Sequence, residues 1–146
     1  MDKDTTRSLS KKLEKVRNAA DAEAFVDAHA GTGVKDLHTF LNTLIAEKGI
    51  AVTDLIEKSG INKNYIYNIL NGERKNPGRD KVIALCIGIG AGFSATNQAL
   101  ELVRHAPLYP KDERDIRIAV AINSGVGSVT KVNMMLEENG LAPLDI

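Results

Sequence analysis

The stretch SGINKNYIYNILNGERKNP, Ser59 to Pro77, decides how the rest of the chain is read. Ile61, Ile66 and Ile69 fall on one face of a helix, and Asn62, Lys63, Asn64, Tyr67 and Asn68 fall on the other. Just upstream, TDLIEKSG reads as a short helix with Leu55 facing inward and Gly60 at its end. A turn between two helices needs a residue free to take positive φ, and Gly60 supplies one. The helices are about three to four residues apart, the spacing of a helix-turn-helix. In that motif the second helix buries one side and offers its N-terminal residues to the major groove of DNA.

The outward side chains suit that task. Asn can bond adenine edges bidentately, and Lys can reach guanine acceptors or phosphate. Asn62, Lys63, Asn64, Tyr67 and Asn68 are therefore the candidate base readers on helix 62–70. Asn71 at the helix end, with Arg74, Lys75, Arg79 and Lys81 in and after the turn-rich loop, are candidates for the DNA backbone. Residues 62–81 hold five basic and two acidic side chains, a local charge of +3. The whole chain conceals this, because nineteen basic residues balance nineteen acidic ones over 146. The bland alternative is a solvated helix face followed by an ordinary charged loop. The basic loop directly after the polar helix favours nucleic acid.

Outward from this stretch the pattern is helical throughout, and no segment alternates as a strand would. Leu37, Phe40, Leu41, Leu44 and Ile45 form one stripe closed by Gly49. RDKVIALCIGIG and SATNQALELVRHA read as the next two helices, before APLYP breaks the chain. KDERDIRIAVAINSG and SVTKVNMMLEENG read as a final helical pair, the former with a capped, salt-laced start. Near the N-terminus, Leu9, Leu13, Val16 and Ala20 mark a marginal amphipathic helix over residues 5–27, and HAGTG reads as a linker. SGINKNYIYNIL and SGVGSVTKVNMML echo one another, a similarity of helix starts without a fixed period. The fold class expected is all-α, divided as 1–33, 34–106 and 107–146.

Other chemistries find little support. Cys86, the lone cysteine, lies in an apolar run and reads as buried and inert. His29, His38 and His105 are scattered, without carboxylate or Cys at ligand spacing, so no metal site is expected. Glycines 88, 90 and 92 miss the dinucleotide fingerprint, whose third glycine would fall at Phe93. No catalytic triad can be assembled, so neither an enzyme nor a cofactor is expected. No apolar run approaches the roughly twenty residues of a membrane helix, and the charged N-terminus lacks a signal peptide's apolar core. A cytoplasmic protein with no membrane partner is the expectation.

Residues 34–93 resemble the phage-repressor-like (XRE, Cro-type) helix-turn-helix family. Leu55, Gly60, Ile61, Ile66, Gly72, Arg74 and Pro77 stand where that family has Leu, Gly, apolar, apolar, Gly, basic and Pro. The resemblance implies a repressor-like five-helix domain, a homodimer on palindromic double-stranded DNA, and transcriptional regulation, with repression the expected sense. Val52 stands where the family usually has a Gln that braces DNA contacts. Ile56 stands where it favours Ala, which implies a wider helix crossing. The C-terminal helices, around Ile116–Ile122 and Val129–Leu136, would complete the core or form the dimer interface. A repressor-like domain serving as a protein-interaction module, through its N-terminal helix or C-terminal pair, is the alternative.

Overall fold

The computed structural model describes residues 36–146, together with Leu13 and Ala22. The helix expected over 5–27 and the linker after it lie outside the described residues. Lys35–Ile146 forms one compact unit. Among the described residues there are seven helices and no strand: α1 (Leu37–Lys48), α2 (Val52–Ser59), α3 (Lys63–Leu70), α4 (Arg79–Ile89), α5 (Phe93–Leu102), α6 (Glu113–Asn123) and α7 (Val129–Glu138). The molecule is all-α, as the helical periodicity predicts.

The stripe of α1 packs as the spacing requires, with Leu37, Phe40, Leu41 and Leu44 buried and Ile45 half-buried at its edge. α4 is the centre of the core, and every residue from Val82 to Ile89 is buried. Its all-round apolar character follows from having neighbours on several sides, α1, α2, α5 and α7. The tightest approach is α2 on α4, at Gly88. A methyl group there would sit 2.8 Å from Leu55 Cδ1 and 3.3 Å from Ser59 Cβ. Ser59 is buried, and its hydroxyl accepts the Ile61 N–H at 3.2 Å. The close contact therefore falls between α2 and α4. Ile56, expected to widen a crossing of α2 with α3, packs half-buried against the core.

Two segments differ from their sequence-based reading. The helix expected to reach Ala106 ends at Leu102, where Arg104 takes φ 60° and the His105 N–H turns back to the Leu100 carbonyl at 2.9 Å. APLYP is no mere break. Leu108 is buried, its N–H donates to Asn97 Oδ1 at 2.9 Å, and the Tyr109 N–H donates to Asp115 Oδ2 at 2.9 Å.

Those bonds belong to a repetition that runs through the second half of the unit. The hairpin α4–α5 with its tail Ala106–Tyr109 is matched by α6–α7 with its tail Ala142–Asp145. Asn133 Oδ1 accepts from the Leu144 N–H at 2.7 Å, as Asn97 does from Leu108. Ile83 and Ile118, and likewise Leu100 and Leu136, are paired core residues. Arg104 has its counterpart in Gly140, at φ 70°. Leu141 bonds back to Leu136 as His105 does to Leu100.

The two hairpins clasp each other reciprocally. Arg79 grips Asp115 at 3.1 and 2.9 Å and the carbonyls of Ala106 and Pro107 at 3.0 and 3.1 Å. Arg114 grips Asp80 at 3.2 and 3.0 Å and the carbonyls of Ala142 and Pro143 at 2.9 and 3.1 Å. Reciprocal contacts of this kind are the mark of a two-fold relation. The echo between Ser59–Leu70 and Ser124–Leu136 is not this repeat. The repeat runs from Arg79-Asp80 and Arg114-Asp115 to the two Ala-Pro-Leu tails.

Candidate nucleic-acid interface

Gly60, at φ 69°, ends α2 and turns the chain into α3. Leu55, Ile61, Ile66 and Ile69 are buried, so the apolar side of the motif is fixed and the opposite side of α3 faces solvent. Lys63, Asn64 and Tyr67 are exposed on it, and Asn68 is half-buried beside them. Asn62 caps the helix, its Oδ1 accepting from the Asn64 N–H at 2.8 Å and the Tyr65 N–H at 3.4 Å. That carbonyl is committed to the cap. Only the amide N–H groups of Asn62 are left for another partner, so bidentate pairing with adenine would cost the cap.

The loop after α3 is built to hold its cations. Asn71 Oδ1 accepts the Glu73 N–H at 2.9 Å, and the Arg74 N–H donates to the Asn68 carbonyl at 2.9 Å. Gly72 lies against His38, whose ring would be 3.2 Å from an added methyl. Pro77 is buried, and its carbonyl accepts a hydrogen bond from His105 Nε2 at 2.8 Å. A carbonyl can only accept, so that nitrogen carries the proton.

Asn68, Glu73, Arg74, Lys75 and Asn76 line one shallow depression, which joins the end of α3 to the basic loop. The Arg74 guanidinium lies 4.5 Å from the centre of the Tyr65 ring, and Lys81 Nζ lies 5.3 Å from it. Tyr65 thus holds two cations at one face of the motif. Burial pushes the Tyr65 pKa up, against the opposing charge and hydrogen bond of Arg74, so the phenol stays a neutral donor.

The residues expected at the site separate into two groups. Lys63, Asn64, Tyr67, Asn68, Arg74 and Lys75, with Lys81 through Tyr65, cluster around α3 and its loop. Arg79 does not join them. Its guanidinium is spent on Asp115 and the two carbonyls of the tail, so the sequence-based assignment to DNA backbone conflicts with its bonding. His105, in the segment after α5, and His38 on α1, read from sequence as surface or helix-edge residues, brace the loop. Their partners lie far away along the chain, so no local signal reveals them. Val52 is half-buried against the core. Burial pushes the Cys86 thiol up to about 12, as an inert core residue requires. Among the described residues no His, Cys, Asp and Glu cluster could hold a metal, and no helix is long and apolar enough to cross a membrane.

Neither the curated proteins nor the solved structures gave a match. One family model does match, described as the Cro/C1-type HTH DNA-binding domain, over residues 41–88. That span begins within α1 and ends one residue short of the end of α4. It supports a DNA-binding regulator, of a family that is typically non-enzymatic. Residues 41–88 of this chain are thus similar to a helix-turn-helix domain of the Cro/C1 type.

Proposed function

We propose that the protein is a sequence-specific transcriptional regulator, a repressor, that sets α3 in the major groove of double-stranded DNA. The carrying observation is the joint placement of an outward polar face on α3 and a braced cationic loop beside it. Lys63, Asn64, Tyr67 and Asn68 read base edges, with the free amide donors of Asn62 at the helix start. Arg74, Lys75 and Lys81 hold phosphates, and Asn71 serves the loop that carries them. Repression follows if a bound protein blocks access of the transcription machinery to its site. Residues 107–146 serve this reading by completing the core on which the motif stands.

Titration with duplex DNA at two or more salt concentrations tests it. Binding is expected at low salt and weakens steeply as salt rises. Arg74→Ala should flatten the slope of log K against log[salt] by about 0.9, the share of one phosphate contact. Asn64→Ala should cost about 1–3 kcal/mol on the preferred sequence and relax the choice of base at one position. A protein that binds no duplex at low salt is not a DNA-reading regulator. Val52, an apolar residue where the family has a polar DNA-bracing one, would then favour the protein-interaction module.

A further inference from the structure

The ends of α5 and α7 hold matched places in the repeat but carry different residues. Leu100-Glu101 is answered by Leu136-Glu137, and Ala106-Pro107-Leu108 by Ala142-Pro143-Leu144, residue for residue. Between them, Leu102-Val103-Arg104-His105 stands against Glu138-Asn139-Gly140-Leu141. Three of these four differences serve the loop between α3 and α4. Leu102 and Val103 line a depression with His38, Arg74, Lys75 and Asn76, and His105 Nε2 bonds to the Pro77 carbonyl at 2.8 Å. In the second hairpin the matched Glu138, Asn139 and Gly140 are exposed. The fourth difference is Arg104.

The fold itself gives no reason for an arginine there. Among the described residues Arg104, at φ 60°, is the one non-glycine with positive φ, and its counterpart is Gly140 at φ 70°. Both N–H groups make the same bond, to the Glu101 and Glu137 carbonyls at 3.0 Å. A residue with a Cβ is disfavoured in this conformation, and glycine is not. The guanidinium does not offset that strain within the fold. Ion pairs among the described residues use Arg79, Arg114 and Arg117, and Arg104 is exposed. We infer that Arg104 is a further contact to the phosphate backbone of duplex DNA, outside the residues that the family model matches. Its neighbours on both sides touch the loop that carries Arg74 and Lys75, so it stands at the edge of that cationic cluster. A duplex seated on α3 and its loop runs past this edge, where one more cation meets the backbone and adds affinity without reading sequence. The inference rests on the DNA reading of α3 and extends that interface to a segment the motif does not contain.

Duplex titration and urea unfolding of the full chain, on the same variants, test it. Arg104→Gly is expected to raise the urea midpoint while weakening duplex binding. Its slope of log K against log[salt] should be shallower by about 0.9, so that between about 50 and 200 mM salt it loses roughly threefold less affinity than the wild type. Arg104→Lys, which keeps the charge, should keep the wild-type slope. Lys131→Ala, which removes an exposed cation of the other hairpin, should keep it too. The inference is overturned by an Arg104→Gly variant with the wild-type slope, or by Arg104→Lys losing as much slope as Arg104→Gly. A lowered urea midpoint in Arg104→Gly also overturns it, because the side chain then supports the fold. So does an equal loss of slope in Lys131→Ala, because any surface cation would then serve. A wild type that binds no duplex refutes the DNA reading and this contact with it. A wild type that binds, with Arg104→Gly binding equally well, refutes this contact alone.

Discussion

Gly88 shows how a single missing side chain sets a helix crossing. Alanine is the better helix former by about 0.8–1.0 kcal/mol, so on propensity alone Gly88→Ala would stabilise α4. The added methyl would meet Leu55 at 2.8 Å and Ser59 at 3.3 Å, and both neighbours are buried. Overpacking of this kind costs about 1–3 kcal/mol, which exceeds the propensity gain. Gly88→Ala is therefore expected to lower the unfolding free energy by roughly 1 kcal/mol, read from the midpoint of a urea titration. The sequence marks Gly88 only as one of several glycines in an apolar run. Its partner, Ser59, is likewise invisible there, because a small polar residue at a helix end looks like a solvent-facing one.

At the scale of elements, the apolar spacing gave the helices and their buried faces correctly for α1, α2 and α3. The polar side of α3 was legible for the same reason, since one periodicity fixes both sides of a helix. The connecting segments were not legible. The loop between α3 and α4 owes its shape to His105, from the turn that follows α5, and Arg79 owes its partner to α6. Such bonds leave no local pattern. Loss of the His105 contact would leave the Pro77 carbonyl unpaired and loosen the loop. His105→Ala is expected to speed amide exchange at Glu73–Lys75 while leaving the exchange of α4 unchanged. Faster exchange in α4 as well would mean that His105 supports the whole core rather than the loop.

At the scale of the molecule, the reciprocal clasp ties stability to pH. Burial tends to raise the pKa of Asp115 and of Asp80. The Arg79 bonds and the Tyr109 N–H more than offset this at Asp115, and the Arg114 bonds and the Asp145 N–H do so at Asp80. Both carboxyls are held below the ordinary carboxylate value. A depressed folded pKa contributes stability that is complete above the unfolded value, near pH 4, and that is lost as pH falls through the folded one. Unfolding free energy should thus decline in acid, below about pH 4. Asp115→Asn should cost about 2 kcal/mol at neutral pH, less than for a fully buried pair because Arg79 keeps some contact with water. It should also shallow the acid decline. Urea titrations at pH 7, 4 and 3 check both effects, and an unchanged acid profile in the variant would place the titrating groups elsewhere.

The clasp also bears on where the molecule can be cut. The stretch that sequence comparison recognises stops at residue 88, within a helix that is one jaw of the grip. A fragment ending there, or at residue 106, keeps Arg79 and Asp80 but discards the carboxylate and guanidinium that answer them. It also uncovers the side of α4 on which α7 rests. The recognisable motif is thus smaller than the piece that holds itself together. Anyone transplanting the reading helix into another scaffold would have to carry the trailing hairpin along or rebuild its grip.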